Sequence, residues 1–208
     1  WTLWVTRHVS LISRCSTRSL GQIQITEGET LEGLIRSVYG TCTPAHLNAV
    51  KRLNPHIRRV RLVEAGTAIR FPALKPAQRR TALGYFVALA VTRDLGDCYD
   101  FLRELRGERT LRGMKHFIQA FLPEPGHDWP AVKRNGRSVP LTILPFWNPE
   151  DGLRFALVLR GIFPDFPSAS RALGALPPDW AREAGVLGEW SEGTLFYSED
   201  LPIDRQNG

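Results

Sequence analysis

Several groupings in this chain have the residue types that chemistry requires. Asp97, Cys98 and His116 could supply an orienting acid, a thiol nucleophile and a base. His116, His127 and Asp128 are metal-ligand types, and Glu150-Asp151 is a carboxylate pair of the kind a glycosidase uses. Each grouping fails on spacing or surroundings. Cys98 falls on the inward stripe of an expected helix, with no Gly turn beside it to offer oxyanion-stabilising amides. The two histidines lack the paired helical spacing and convergent acids of a metal site, and Glu150 and Asp151 read as the acidic first turn of a helix. Gly28-Glu29-Thr30 has neither the Gly-rich spacing nor the Lys of a phosphate loop. What remains is binding: the chain reads as non-enzymatic, with no cofactor and no metal.

The elements that would present a binding surface must fit into 208 residues, enough for one medium domain or two small ones. A 43% hydrophobic and 23% charged composition is that of a globular chain rather than a disordered one. The net charge of +6 suits an acidic cell wall, anionic lipid headgroups or nucleic acid. Nucleic acid is disfavoured, because the basic residues are scattered and no zinc spacing, RNA-binding aromatic signature or long Lys/Arg block accompanies them. Cys15, Cys42 and Cys98 form no CxxC pair and no disulfide framework. Buried free thiols are expected, with one bridge and one leftover thiol as the alternative. Residues 1–21 are an N-terminal segment whose apolar start carries Trp1 and Trp4 and is interrupted by Arg7 and His8. It is too short to span a bilayer, and reads either as the juxtamembrane end of a missing membrane segment or as an ordinary element packed on the body.

Residues 22–72 have the clearest local pattern. Gln22-Ile23-Gln24-Ile25 alternates as a half-buried strand, and Gly28 breaks it. Thr30 is the expected cap of a helix whose apolar stripe is Leu31, Leu34, Ile35 and Val38, with Gly40 as its stop. Thr43-Pro44 opens a second helix with Leu47, Val50 and Leu53 inward, ended by Asn54-Pro55. Gly66 turns into a strand over Ala68-Ile69-Arg70-Phe71 that Pro72 closes.

This segment resembles a LysM domain. The matching pieces are Gly28-Glu29-Thr30-Leu31, Tyr39-Gly40, Leu53-Asn54-Pro55, and Ala65-Gly66 before Ile69-Arg70-Phe71-Pro72, in order and at the right spacing. The resemblance implies a βααβ fold that binds N-acetylglucosamine-containing glycans such as peptidoglycan or chitin. It places the groove between Gly28, Glu29, Thr30 and Leu31 on one wall and Asn54, Pro55 and Ile57 on the other. Turn amides and an Asn amide would then bond acetamido groups, while Leu31 and Ile57 receive the methyls. His56, Arg58, Arg59 and Arg61 put more charge on the second wall than a neutral sugar needs. They read as a solvated face or as an approach surface for anionic wall polymers or acidic stem peptides.

Residues 73–83 read as a linker. Tyr85 to Val91 is uninterruptedly apolar and reads as a central strand, with Tyr85, Val87, Leu89 and Val91 on one face and Phe86, Ala88 and Ala90 on the other. Asp94 caps a helix striped by Cys98, Phe101, Leu102 and Leu105. A second strand is expected over 115–122, a hairpin turn at Asn135-Gly136 and a third strand over 140–147. Asn148-Pro149-Glu150-Asp151 then starts a helix striped by Phe155, Val158, Leu159 and Ile162. Residues 84–166 resemble a SPOR domain, through Tyr85-Phe86-Val87-Ala88-Leu89, Ile143-Leu144-Pro145-Phe146 and the Asn148 to Gly152 helix start. That resemblance implies a βαββαβ fold binding peptidoglycan, although Ala88 and Leu144 stand where the family carries Gln and Gly. Residues 167–208 are an extension whose Trp180, Trp190, Phe196 and Tyr197 should pack on the body.

The expectation is therefore an α+β chain, a small βααβ LysM-like module followed by an antiparallel-sheet βαββαβ SPOR-like module. It would act as a non-catalytic peptidoglycan tether for an envelope protein or a secretion or pilus assembly in the bacterial periplasm. Its partners would be peptidoglycan or a related glycan and envelope proteins, with no nucleic acid, and with membrane contact only through a missing N-terminal segment. Two other readings stay open: a protein-interaction module with decayed sugar sites, and the regulatory part of a larger envelope hydrolase or ATPase.

Overall fold

The computed structural model describes residues 19–74, 77–78, 84–105, 132–134, 137–139, 141–159, 162–176 and 178–198. The chain is mixed α+β with antiparallel sheets. Residues 1–18 with Cys15, the expected strand over 115–122, His116, His127, Asp128 and the Asn135-Gly136 turn lie outside the described residues, while residues 19–21 of the N-terminal segment open the first strand.

The first unit runs β1 (Ser19–Gln24), α1 (Leu31–Tyr39), α2 (Pro44–Leu53), β2 (Ala68–Pro72). β1 and β2 pair antiparallel as a two-stranded sheet, with Ile23 opposite Ile69 and a bulge between Ser19 and Gly21. Thr30 caps α1, its Oγ1 accepting the Gly33 N–H at 3.1 Å, and Gly40 ends it at φ 85°. Thr43 caps α2 by accepting the His46 N–H at 3.2 Å, with Pro44 in the first turn. Ile23, Ile25, Leu31, Leu34, Ile35, Val38, Val50, Ile69 and Phe71 are all buried, so the two helices close one side of the strand pair.

After β3 (Ala77–Gln78) come β4 (Phe86–Thr92) and α3 (Leu95–Leu105). The hairpin β5 (Val132–Arg134) and β6 (Arg137–Val139) follows, then β7 (Leu141–Asn148) and β8 (Gly152–Leu159). α4 (Phe166–Gly174), α5 (Pro178–Ala181), β9 (Gly185–Leu187) and β10 (Leu195–Phe196) complete the described elements. Six strands form one sheet in the order β3-β10-β7-β8-β4-β9, every pair antiparallel. Within it, β4, α3, β7, β8, α4 and β9 trace a split β-α-β-β-α-β unit, with β8 lying between β7 and β4.

That tracing corrects one expectation. No helix starts at Asn148: residues 148–152 turn the β7–β8 hairpin, and Phe155, Val158 and Leu159 lie on strand β8. Asn148 Oδ1 accepts the N–H groups of Glu150 at 3.1 Å and Asp151 at 2.5 Å, and Gly152 supplies φ 75° to re-enter the sheet. Glu150 and Asp151 are therefore turn acids, Asp151 pairing with Arg154 at 3.0 Å. The misreading has a physical cause. β8 is buried on both faces, Phe155, Leu157 and Leu159 on the main core and Ala156 and Val158 on a second one, so apolar residues fill helical and strand spacings alike. The second helix of the pattern comes later, as α4, and its closing strand, β9, falls beyond residue 166.

The main core is continuous across both parts of the chain, joining Leu20, Ile23, Leu34 and Phe71 to Val87, Leu95, Leu102, Phe155 and Trp180. The smaller core, on the opposite sheet face, contains Phe86, Leu144, Phe146, Val158 and Phe196. Trp190 stands edge-on to Phe196 at 4.8 Å and Phe146 at 5.3 Å over it.

Candidate binding surface

The turn between β1 and α1 is built by local bonds. Glu29 N–H donates to Thr26 O at 3.1 Å, and Thr26 N–H donates back to Glu29 Oε2 at 2.8 Å. Gly28 sits at φ 81° with open space around it, a conformation that favours Gly. Gly28 and Thr30 are exposed, and Thr30 is occupied as the α1 cap. Leu31, at the start of the helix, is fully buried and belongs to the core.

The second segment assigned to the groove is the loop after α2. Asn54 is 0% exposed and every hydrogen-bonding atom of its side chain that could reach a ligand is spent internally. Its Nδ2 donates to Val50 O and to Arg70 O, both at 2.7 Å, and its Oδ1 accepts the Arg70 N–H at 2.8 Å. Asn54 thus ties the end of α2 to β2 (a dry, satisfied polar node). Ile57 is also buried, its N–H donating to Asn54 O at 3.0 Å, while Pro55 between them is exposed. Of the seven residues assigned to the groove, Gly28, Thr30 and Pro55 reach solvent, Glu29 is part-buried, and Leu31, Asn54 and Ile57 are buried.

Glu29 has a different fate. Its carboxylate is held from α3: Arg103 Nε donates to Oε1 at 3.1 Å and Nη2 to Oε2 at 3.0 Å, and Tyr99 Oη donates to Oε1 at 3.0 Å. The same Nη2 donates to Gln24 O at 3.0 Å, and the guanidinium lies 4.9 Å from the centroid of the Tyr99 ring. Burial pushes the Glu29 carboxyl upward, but the bonds from Arg103, Thr26 and Tyr99 together outweigh it and hold it below the usual carboxylate range. Sequence reasoning missed Tyr99 and Arg103. Their i, i+4 spacing put them on one helix face, yet nothing local signals a partner about seventy residues earlier.

The catalytic arrangement weighed from sequence has no basis at Cys98. The thiol is fully buried, and burial pushes it up to about 12, far from a thiolate at neutral pH. Asp97 is exposed at the start of α3. Among the described residues no group of His, Cys, Asp or Glu could hold a metal ion, and no helix is long and apolar enough to cross a membrane.

Comparison with protein-family models, with curated proteins and with solved structures finds no match to this chain.

Proposed function

We propose that this chain is a non-catalytic tether that binds the glycan of a bacterial cell wall, an N-acetylglucosamine-containing polymer such as peptidoglycan, through the rim formed by Gly28, Thr30 and Pro55. The observation that carries the reading is the β1–α1–α2–β2 unit itself, with a capped, solvent-facing turn at one end of its strand pair and a rigid loop pinned by Asn54 after its second helix. A rim whose positions are set by buried residues is preorganised, so a neutral sugar chain loses little to ordering the protein. The contacts in this reading are backbone amides of the turn and the Pro55 ring. Leu31, Asn54 and Ile57 act as scaffold, and Glu29 as the clasp that holds the turn still. The envelope location and a role in holding a larger assembly to the wall follow from that reading. The SPOR-like assignment of the sheet unit is supported separately by its split β-α-β-β-α-β order, and that sheet makes no glycan contact in this reading.

A second reading draws on the closed state of the side chains. With Glu29 engaged by Arg103 and three of the seven groove residues buried, a protein-interaction module whose sugar site has decayed fits the same coordinates. Sedimentation of the full chain with purified sacculi separates the two. The tether reading expects retention that persists in moderate salt and falls about tenfold, roughly 1.4 kcal/mol, on Gly28→Asn or Pro55→Glu. The interaction-module reading expects no retention at any salt concentration.

A further inference from the structure

The loop between α2 and β2 carries a feature that sugar binding does not use. Residues 51–67 contain Lys51, Arg52, Arg58, Arg59 and Arg61 against a single acid, Glu64. Arg52, Arg58, Arg59 and Arg61 are exposed, and none of the last three has an ion-pair partner among the described residues. Within this loop Arg58, Arg59 and Arg61 fall in four consecutive positions, so three exposed cations share one short turn.

An exposed apolar side chain sits in the midst of that charge. Leu62 is 67% exposed, more than any other large hydrophobic residue among those described. The exposure is built in. Ile57 is buried, and Val60 and Val63 pack against the main core on either side of the tip. The Leu62 N–H donates to Arg59 O at 3.1 Å, closing a turn that holds Leu62 beside Arg59 and Arg61. A loop that needed only solubility would place a polar residue there.

We infer that this loop docks on the surface of an anionic phospholipid bilayer, with Arg58, Arg59 and Arg61 on the headgroup phosphates and Leu62 entering the interfacial layer. The combination selects this partner over a hydrated polyanion. A polymer of carboxylates or phosphodiesters rewards the arginines and leaves Leu62 in water, whereas a headgroup region accepts both. Three arginines with one leucine at an anionic surface give reversible, composition-dependent attachment rather than permanent anchoring. The docking residues share the loop after α2 with Pro55 but are none of Gly28, Thr30 and Pro55, so variants here test the bilayer inference apart from the glycan rim.

The test is co-sedimentation of the full chain with vesicles of phosphatidylglycerol and phosphatidylcholine, with pure phosphatidylcholine vesicles as one further arm and soluble polyglutamate, added as a competitor whose release of the chain reads its own binding, as the other. Retention is expected on the anionic vesicles only. Arg59→Glu with Arg61→Glu should abolish it, and Leu62→Ser should weaken it about tenfold while leaving the charge and the far-ultraviolet circular dichroism unchanged. All three positions are exposed, so the substitutions leave the core contacts intact, and the circular dichroism of each variant checks its folding. Retention that Leu62→Ser leaves untouched, polyglutamate binding as tight as vesicle binding, or no retention on anionic vesicles would each overturn the proposal. Sacculus binding by the Leu62→Ser chain reads the glycan proposal separately.

Discussion

Arg103 on α3 holds Glu29, in the turn before α1, by two parallel bonds, Nε to Oε1 at 3.1 Å and Nη2 to Oε2 at 3.0 Å. The pair couples the β1–β2 unit to the six-stranded sheet unit at the point where the candidate glycan rim begins. Its side chains are 31% and 18% exposed, enough screening to moderate the attraction; loss of Arg103 leaves the Glu29 carboxylate part-buried without its cation, whereas loss of Glu29 leaves Arg103 still paired with Asp100. A double-mutant cycle of Glu29→Gln and Arg103→Met, followed by urea unfolding, should give a coupling energy of about 1–2 kcal/mol. Additive single effects would show that the geometry carries no net interaction.

The same pair sets a pH dependence. The folded Glu29 carboxyl is held below its ordinary value, so the folded state binds its proton more weakly than the unfolded chain does. The stabilisation is therefore fully present above the ordinary carboxylate value and is lost as pH falls through the lower folded value. Stability measured from pH 7 down to pH 3 should drop less steeply for Glu29→Gln than for the parent chain.

Gly21 on β1 packs against the start of α3. It lies at φ 144°, and a Cβ there would stand 2.9 Å from Leu95 Cβ at the start of α3. Leu95 is fully buried and has no room to yield. Gly21→Ala should cost about 1–3 kcal/mol, and thermal unfolding reads it. The same change at Gly66, which has open space around it, carries only the backbone penalty of about 1 kcal/mol.

Asn54→Ala removes three buried hydrogen bonds and takes the side-chain partner from Arg70 O and the Arg70 N–H, while Val50 O keeps the backbone N–H of residue 54. A loss of about 2–4 kcal/mol is expected by chemical denaturation. Because the side chain never reaches solvent, any loss of glycan retention in this variant should track its loss of folding, and Pro55 is the position that separates the two.

The first unit was legible because its signals are local. Thr30, Gly40, Thr43-Pro44 and Asn54-Pro55 each punctuate an element within four residues, and the structure uses Thr30 and Thr43 as caps and Gly40 and Asn54 as stops. The sheet unit was legible only in part. β4, α3 and β7 followed from apolar runs and the Asp94 cap, whose Oδ1 accepts the Gly96 and Asp97 N–H groups. β8 was read as a helix because burial on both faces erases the period of two. β9 and β10 were read as extension because strands of three and two residues carry no periodicity. The Glu29–Arg103–Tyr99 clasp was invisible, since pairing across seventy residues leaves no trace in local pattern.

The most direct test of the account follows backbone amide shifts by NMR as a soluble N-acetylglucosamine oligomer is added to the full chain. The account predicts saturable shifts confined to residues 27–31 and to the amides flanking Pro55, absent in the Gly28→Asn and Pro55→Glu chains. Shifts clustered on the six-stranded sheet instead, or no shifts at millimolar oligomer, would contradict it.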